Sequence, residues 1–389
     1  MNEGVFFMKL LNVAGARPNF MKVAPIIEAI ESYNNSNSKK IEQLLIHTGQ
    51  HYDQNMSRLF FHELGIPEPY VNLEVGSASH AEQTAEIMKR FEKICVSERP
   101  THILVVGDVN STIACSLVAS KLRISVIHVE AGLRSFDRSM PEEINRVLTD
   151  AISDILFTTE ESAKENLCNE GKSEKNIYFV GNVMIDTLLK HKEKAKTSNV
   201  LNRIGLQGSR YALLTLHRPS NVDDKKIFTQ ILEALLLIGK DTPIIFPIHP
   251  RSLMKVIEYG LEKYFNWMLY ERSFSVSGIN ENNRIIAIQP QGYLDFLQLL
   301  SNSVLVLTDS GGIQEETTVL GIPCVTLREN TERPITITKG TNVLAGTDRD
   351  NIVRAAASQL SSPKMNLVPP LWDGKASERI VDVLKCFIK

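Results

Sequence analysis

The chain has 389 residues, 43 Lys and Arg against 45 Asp and Glu, and a hydrophobic fraction of 43%. This length is enough for two or three domains and a sizeable core. A net charge of −2 excludes binding of nucleic acid or an anionic membrane through bulk charge, but leaves room for a local cationic site. No run approaches the roughly 18 apolar residues that span a bilayer. The N-terminal stretch carries Glu3 early and Lys9 inside its apolar run, without a basic start or a small-residue cleavage site, so a first strand is expected there and not a signal peptide. The five cysteines (Cys95, Cys115, Cys168, Cys324, Cys386) are odd in number, widely spaced and free of CxxC or zinc patterns. Reduced thiols in the cytoplasm are expected, and no metal site.

Short apolar runs alternate with amphipathic segments along the chain. In the first half the strand-like runs are 5–14, 42–47, 102–107, 124–129, 154–159 and 177–181, with helix-like stretches at 80–97, 110–121 and 159–170. In the second half the strand-like runs are 211–216, 243–248, 284–288, 304–309 and 322–327, with helix-like stretches at 224–239, 251–263, 292–301 and 311–320. Continuous apolar strands separated by helices predict parallel sheets covered on both faces. A (β/α)8 barrel fits the length. The polar segment 191–210, however, divides two blocks of similar layout. The preferred class is therefore α/β: two Rossmann-like, doubly wound domains facing a central cleft, spanning 1–190 and 191–369. The segment 372–389 places Ile380, Val383, Leu384 and Phe387 at helical spacing, and so predicts a C-terminal helix that could pack back on either domain, with 370–389 able to return to the first.

Ligands of open parallel sheets bind beyond the carboxyl ends of the strands, which directs attention to the residues after each run. After the first strand, Gly15-Ala16-Arg17-Pro18 leads into a helix bearing Lys22. Helix N-termini attract anions, and two cations would add to that field, although a solvated turn reads equally well. Asp108 follows the third run and could serve as a helix N-cap. Glu130 ends a buried strand and precedes Ala131-Gly132, a position that capping explains less easily. Pro141-Glu142-Glu143 reads as a helix start whose two acids point in different directions. In the second half, His217-Arg218-Pro219 and His249-Pro250-Arg251 follow successive strands, which favours an anion site. In Thr308-Asp309-Ser310-Gly311-Gly312 small residues sit at a strand-to-helix turn, where backbone N–H groups can cradle a phosphate and Ser310 can add a hydroxyl. Glu316, in the helix that follows, could accept hydrogen bonds from two ribose hydroxyls. Neither GxGxxG nor a P-loop is present. Thr331-Glu332-Arg333 offers a further cation.

These residues resemble the non-hydrolysing UDP-N-acetylglucosamine 2-epimerase family, of the GT-B fold. The matching motifs run nearly end to end: GARPNFMKVAPI (15–26), TGQHYD (48–53), GDVNST (107–112), HVEAGLRS (128–135), MPEEINRVLTD (140–150), HRPSNVD (217–223), IHPR (248–251), TDSGGIQEE (308–316), RENTERP (328–334) and WDGKASERI (372–380). The resemblance implies reversible epimerisation at C2 of UDP-N-acetylglucosamine, through elimination of UDP to a 2-acetamidoglucal and re-addition. It implies Asp108, Glu130 and Glu142 as catalytic carboxylates, the last in preference to Glu143, and His217 as a diphosphate contact also needed for catalysis. It further implies Arg17, Lys22 and Arg333 as site cations, Ser310, Gly311 and Gly312 as the phosphate nest, Glu316 on the ribose, and Gln291 and Phe296 beside the uracil. No metal or redox cofactor is implied, and a homodimer is.

Three departures are visible. Asn19 stands where many bacterial members carry Glu, Pro219 where they carry the second Arg of His-Arg-Arg, and Gly76-Ser77-Ala78-Ser79-His80 where they carry a basic segment. Activation by a second UDP-N-acetylglucosamine is therefore not expected, although Gln50 of the same motif is kept. The same departures occur in relatives that act on modified UDP-sugars such as diacetamido-uronic acids, which forms an alternative reading. A hydrolysing epimerase, a GT-B UDP-sugar glycosyltransferase and a catalytically silent UDP-sugar sensor are the other rivals; retention of the carboxylates together with His217 argues against the last.

Overall fold

The structure, a computed structural model, describes residues 8–49, 61, 63–268, 284–361 and 367–388, with the side chain of Arg17 outside that description. Residues 5–7 of the first expected strand and Gln50 also lie outside the described residues. The chain divides into two compact units, Met1–Lys190 with Pro370–Lys389, and His191–Pro369.

In the first unit the strands are β1 (Met8–Ala14), β2 (Ile41–His47), β3 (Val71–Asn72), β4 (His102–Val106), β5 (Ser125–Val129), β6 (Ile155–Thr158) and β7 (Ile177–Phe179). They form one sheet in the order β3-β2-β1-β4-β5-β6-β7, and every pairing is parallel. The helices are α1 (Arg17–Ser36), α2 (His80–Glu98), α3 (Asn110–Lys121), α4 (Pro141–Ile152), α5 (Glu161–Asn169) and α6 (Val183–Ala195). Leu11, Val13, Ile103, Val105 and Phe91 are among the buried residues that join the sheet to its helices. The segment Gly76–His80 forms the start of α2: the Ser79 hydroxyl accepts from Glu82 N–H, and the Glu82 carboxylate takes the Ser79 N–H in return.

The second unit repeats the plan. It begins with the end of α6 and the short α7 (Val200–Arg203), so the polar segment 191–210 is partly helical. Its strands are β8 (Ala212–Thr215), β9 (Ile244–Pro247), β10 (Asn266–Trp267), β11 (Ile285–Ile288), β12 (Leu305–Thr308), β13 (Cys324–Thr326) and β14 (Asn342–Leu344). They are ordered β10-β11-β9-β8-β12-β13-β14, again with parallel pairs throughout. Its helices are α8 (Pro219–Val222), α9 (Lys225–Gly239), α10 (Pro250–Tyr259), α11 (Tyr293–Ser301), α12 (Gly311–Leu320), α13 (Pro334–Thr338) and α14 (Arg349–Ser361). Phe228, Leu232, Phe246, Leu305 and Leu307 lie in its core.

The two-sheet α/β architecture agrees with the pattern of apolar runs. The differences have local causes. The edge strands β3, β10 and β14 are two or three residues long, too short to show a periodicity. The helix expected over 251–263 stops at Tyr259, where Gly260 takes a left-handed cap, and a 3₁₀ turn (Glu262–Tyr264) follows.

The last helix, α15 (Ala376–Leu384), packs against α1 in the first unit. Two contacts seat it. The buried Trp372 indole donates to Thr159 O at 3.0 Å. Asp186 on α6 accepts from the N–H groups of Ala376 (3.1 Å) and Ser377 (2.7 Å), so a distant carboxylate serves as the cap of α15. Burial raises the Asp186 pKa, and the two N–H groups act against that rise. Asp186→Ala should cost about 1–2 kcal/mol, the scale of a lost cap. The chain has one tryptophan in each unit, so denaturant unfolding of a Trp267→Phe background, followed by Trp372 fluorescence, reads this loss in the first unit alone.

Candidate active site

In each sheet, neighbouring strands connect in opposite directions from one point: β1 and β4 in the first unit, β8 and β12 in the second. The residues just beyond these strands are those a ligand of an open parallel sheet meets.

In the first unit, β1 runs into α1 through Gly15 and Ala16. Asn19 organises this turn. Its Oδ1 accepts from the N–H groups of Gly15 (3.2 Å) and Ala16 (2.9 Å), while its Nδ2 donates to Val106 O at the end of β4 (3.0 Å). Lys22, 6% exposed, points from α1 to the Glu130 carboxylate and forms a buried ion pair with it. Glu130 itself is 3% exposed, and its backbone is left-handed (φ 72°), a state that costs about 1–3 kcal/mol in a non-glycine residue. Gly107 lies against this pair. A Cβ there would stand 3.1 Å from Lys22 Nζ and 3.2 Å from Glu130 Oε2, and its φ of 68° would strain any other residue.

Asp108 does not cap α3. The N-cap is Val109, and the half-buried Asp108 carboxylate instead meets Arg146 Nε at 3.0 Å and Nη2 at 2.9 Å. Asn145 Nδ2 donates to Asp108 O at 2.9 Å. The same helix, α4, opens with both acids. Glu143 is buried and committed to the N–H groups of Ser135 and Phe136 (2.9 Å each) and to Arg146, whereas Glu142 is half-buried. The structure thus gathers Lys22, Asp108, Glu130 and the start of α4 at one sheet edge.

In the second unit, His217 follows β8 and Ser310 follows β12. Between them lies Asp309, to which the sequence reading assigned no role. It is fully buried, accepts from the backbone N–H groups of His217 (2.8 Å) and Arg218 (2.7 Å), and lies 3.1 Å from His217 Nδ1. Burial opposes its ionisation, but the His217 ring and the two N–H groups prevail and bring its carboxyl to about 2. A proton on Nδ1 facing this carboxylate leaves Nε2 as the nitrogen a ligand would meet. The signal for Asp309 was an acid on a buried strand end directly before small residues, as with Glu130.

Ser310 and Gly311 begin α12, whose first N–H groups have no acceptor within the helix. Arg333 is 4% exposed, with its Nε 2.9 Å from Glu315 and its Nη1 3.1 Å from Glu332, so its charge is already matched inside the protein. Arg218 reaches Glu332 at 3.3 Å. Glu316, 1% exposed, is pushed up to about 8 by burial, and Tyr293 OH lies 3.3 Å from its Oε1. Gln291 and Phe296 sit beyond β11. The Gln291 side chain donates to Gln289 O and accepts from Arg203 at 2.9 Å, and Phe296 is half-buried on α11. Arg17 starts α1, with its side chain outside the described residues.

A family model described as UDP-N-acetylglucosamine 2-epimerase matches residues 34–385. A UDP-N-acetylglucosamine 2-epimerase of Methanocaldococcus jannaschii is 45% identical over 97% of this chain and 99% of its own length. A UDP-2,3-diacetamido-2,3-dideoxy-D-glucuronate 2-epimerase of Pseudomonas aeruginosa is 40% identical over 97% and 99%. The structure of the M. jannaschii UDP-GlcNAc 2-epimerase in complex with UDP-GlcNAc and UDP superposes with a TM-score of 0.87, covering 97% of this chain and all of that one at 44% identity. With a family model matched over residues 34–385 and a relative 45% identical over nearly its whole length, the chain belongs to the UDP-N-acetylglucosamine 2-epimerase family.

Proposed function

We propose that the protein interconverts UDP-N-acetylglucosamine and UDP-N-acetylmannosamine, as an isomerase that inverts C2. The observation that carries this reading is the set of three carboxylates in a chain of this family: Asp108 and Glu130 follow β4 and β5, and Glu142 stands in the first turn of the helix whose Arg146 meets Asp108. The C2 proton has no adjacent carbonyl to acidify it, so its removal must accompany loss of a good leaving group. A carboxylate takes the proton from C2 as the C1–O bond breaks, and UDP leaves. The resulting 2-acetamidoglucal is protonated at C2 on its other face as UDP returns to C1. Carboxylates supply the general base and acid. The free N–H groups at the start of α12, Ser310 and His217 meet the charge that grows on the departing diphosphate, and Glu316 takes the ribose hydroxyls.

We assign the sugar chemistry to residues of the first unit and UDP binding to residues of the second. We take the enzyme to be a homodimer, as the family resemblance implies, and place it in the cytoplasm, which suits its unpaired cysteines. The 40% identity to the diacetamido-uronate epimerase favours a second reading, the same inversion on a UDP-diacetamido-uronic acid.

Incubation with UDP-N-acetylglucosamine in D2O, followed by proton NMR, separates these readings. UDP-N-acetylmannosamine deuterated at C2 is the expected product. Free N-acetylmannosamine with UDP would identify a hydrolysing enzyme. Absence of exchange, with turnover of the diacetamido-uronate, would establish the second reading. Glu130→Gln should lose at least about 10²-fold in turnover while still binding UDP; near-unchanged turnover would remove Glu130 from the chemistry.

The ribose contact has a pH signature. The Glu316 carboxyl is mostly neutral below its pKa of about 8 and ionised above it. An ionised carboxylate accepts both ribose hydroxyls, so UDP affinity should rise with pH from 7 through about 8 and reach a plateau by pH 9. Calorimetric titration across that range should show the rise in the native enzyme and a flat profile in Glu316→Gln.

A further inference from the structure

The segment HVEAGLRS contributes more than Glu130. His128, on β5, is completely buried. Its Nε2 lies 2.9 Å from Gly107 O, which can only accept, so Nε2 carries a hydrogen. Its Nδ1 lies 2.6 Å from Asp150 Oδ1 on α4, with a proton between them. Asp150 is also fully buried, and its second oxygen accepts from Gly132 N–H (3.0 Å) and meets Arg134 Nη2 (2.7 Å). Arg134 in turn pairs with Glu170 at 2.6 Å.

The positions this chain of bonds joins are specific. Gly107 directly precedes Asp108, and its N–H is bound to Val129 O, next to Glu130. Gly132 lies two residues after Glu130 and fixes the end of the turn in which Glu130 is left-handed. Asp150 lies on the helix that begins with Glu142 and that holds Asp108 through Arg146 and Asn145. One carboxylate on α4 therefore ties the backbone before Asp108 to the backbone after Glu130. Burying an ionised group between a helix and a sheet is expensive, and apolar residues would join the two at lower cost. We propose that His128 and Asp150 are a positioning pair that sets the spacing of the three carboxylates without touching substrate. This rests on the epimerase reading above.

The test uses the full-length enzyme. Wild-type turnover of UDP-N-acetylglucosamine, and failing that of the UDP-diacetamido-uronic acid, is measured first; absence of both removes the epimerase reading and the positioning role with it. His128→Gln and Asp150→Asn should each lower kcat by about 10- to 100-fold, the effect of misplaced reacting groups. KM for the sugar nucleotide and the dissociation constant of UDP should stay within about threefold, because the pair contacts neither. The double variant should lose no more than the worse single one, as expected for two residues acting as one unit. A pair serving only to hold the fold would lower the melting temperature and leave kcat of the folded enzyme unchanged, and that result overturns the proposal. A readout on the wild-type protein covers the case in which a variant fails to fold. In enzyme labelled with 15N-histidine, His128 should show a protonated Nε2 and a proton bound or shared at Nδ1; an unprotonated Nε2 overturns the proposal.

Discussion

In a parallel sheet every strand ends at the same edge, and here both sheets are parallel throughout. Residues that follow β1 lie about a hundred positions from those that follow β4 and β5 and still come together. So do those that follow β8 and β12. The continuous apolar character of the strands, which buries the sheet on two faces, is the condition for this arrangement. The polar positions at the strand ends are the exceptions that the fold gathers at one edge of each sheet.

Gathering charge in this way has a cost, and the structure shows how it is met. The charges named at the sheet edges have an opposite charge or a row of N–H groups: Lys22 has Glu130, the half-buried Asp108 has Arg146, Asp309 has His217 and two backbone donors, and Arg333 has Glu315 and Glu332. Such pairs add little to stability compared with apolar packing, but they hold side chains in one orientation. Exposed pairs such as Arg251–Asp223 carry no such constraint and contribute little. Glu316 is the contrast. It is buried, with Tyr293 OH 3.3 Å from its Oε1, and burial together with the neighbouring Glu315 raises its carboxyl to about 8.

The departures from the bacterial pattern have structural accounts. Asn19 both accepts and donates, joining the β1 turn to the end of β4; a carboxylate could not donate to Val106 O. Pro219 occupies the first position of α8, where its missing N–H costs nothing. The segment Gly76–His80 is used as the cap of α2.

The residues alone show the strand and helix alternation, the parallel class and the strand-end polar positions, because burial on two faces and anion binding at helix starts leave local patterns. They also mark Glu130 and the turn before α12, since an acid or a glycine pair at the end of a buried strand is hard to explain otherwise. The chemistry at C2 of a sugar came from resemblance to a family, as no spacing encodes it. Other features were not legible. The choice between Glu142 and Glu143 depends on which one faces Ser135, Phe136 and Arg146. Asp108 reads as a cap until Arg146, 38 residues later, is seen beside it. The roles of Asp150, Asp309 and Asp186 rest on partners from 18 to 191 positions away. Periodicity and propensity act over a few residues, so they specify elements and their ends. Which charges meet depends on strand order and helix register, and these exist only once the chain has packed.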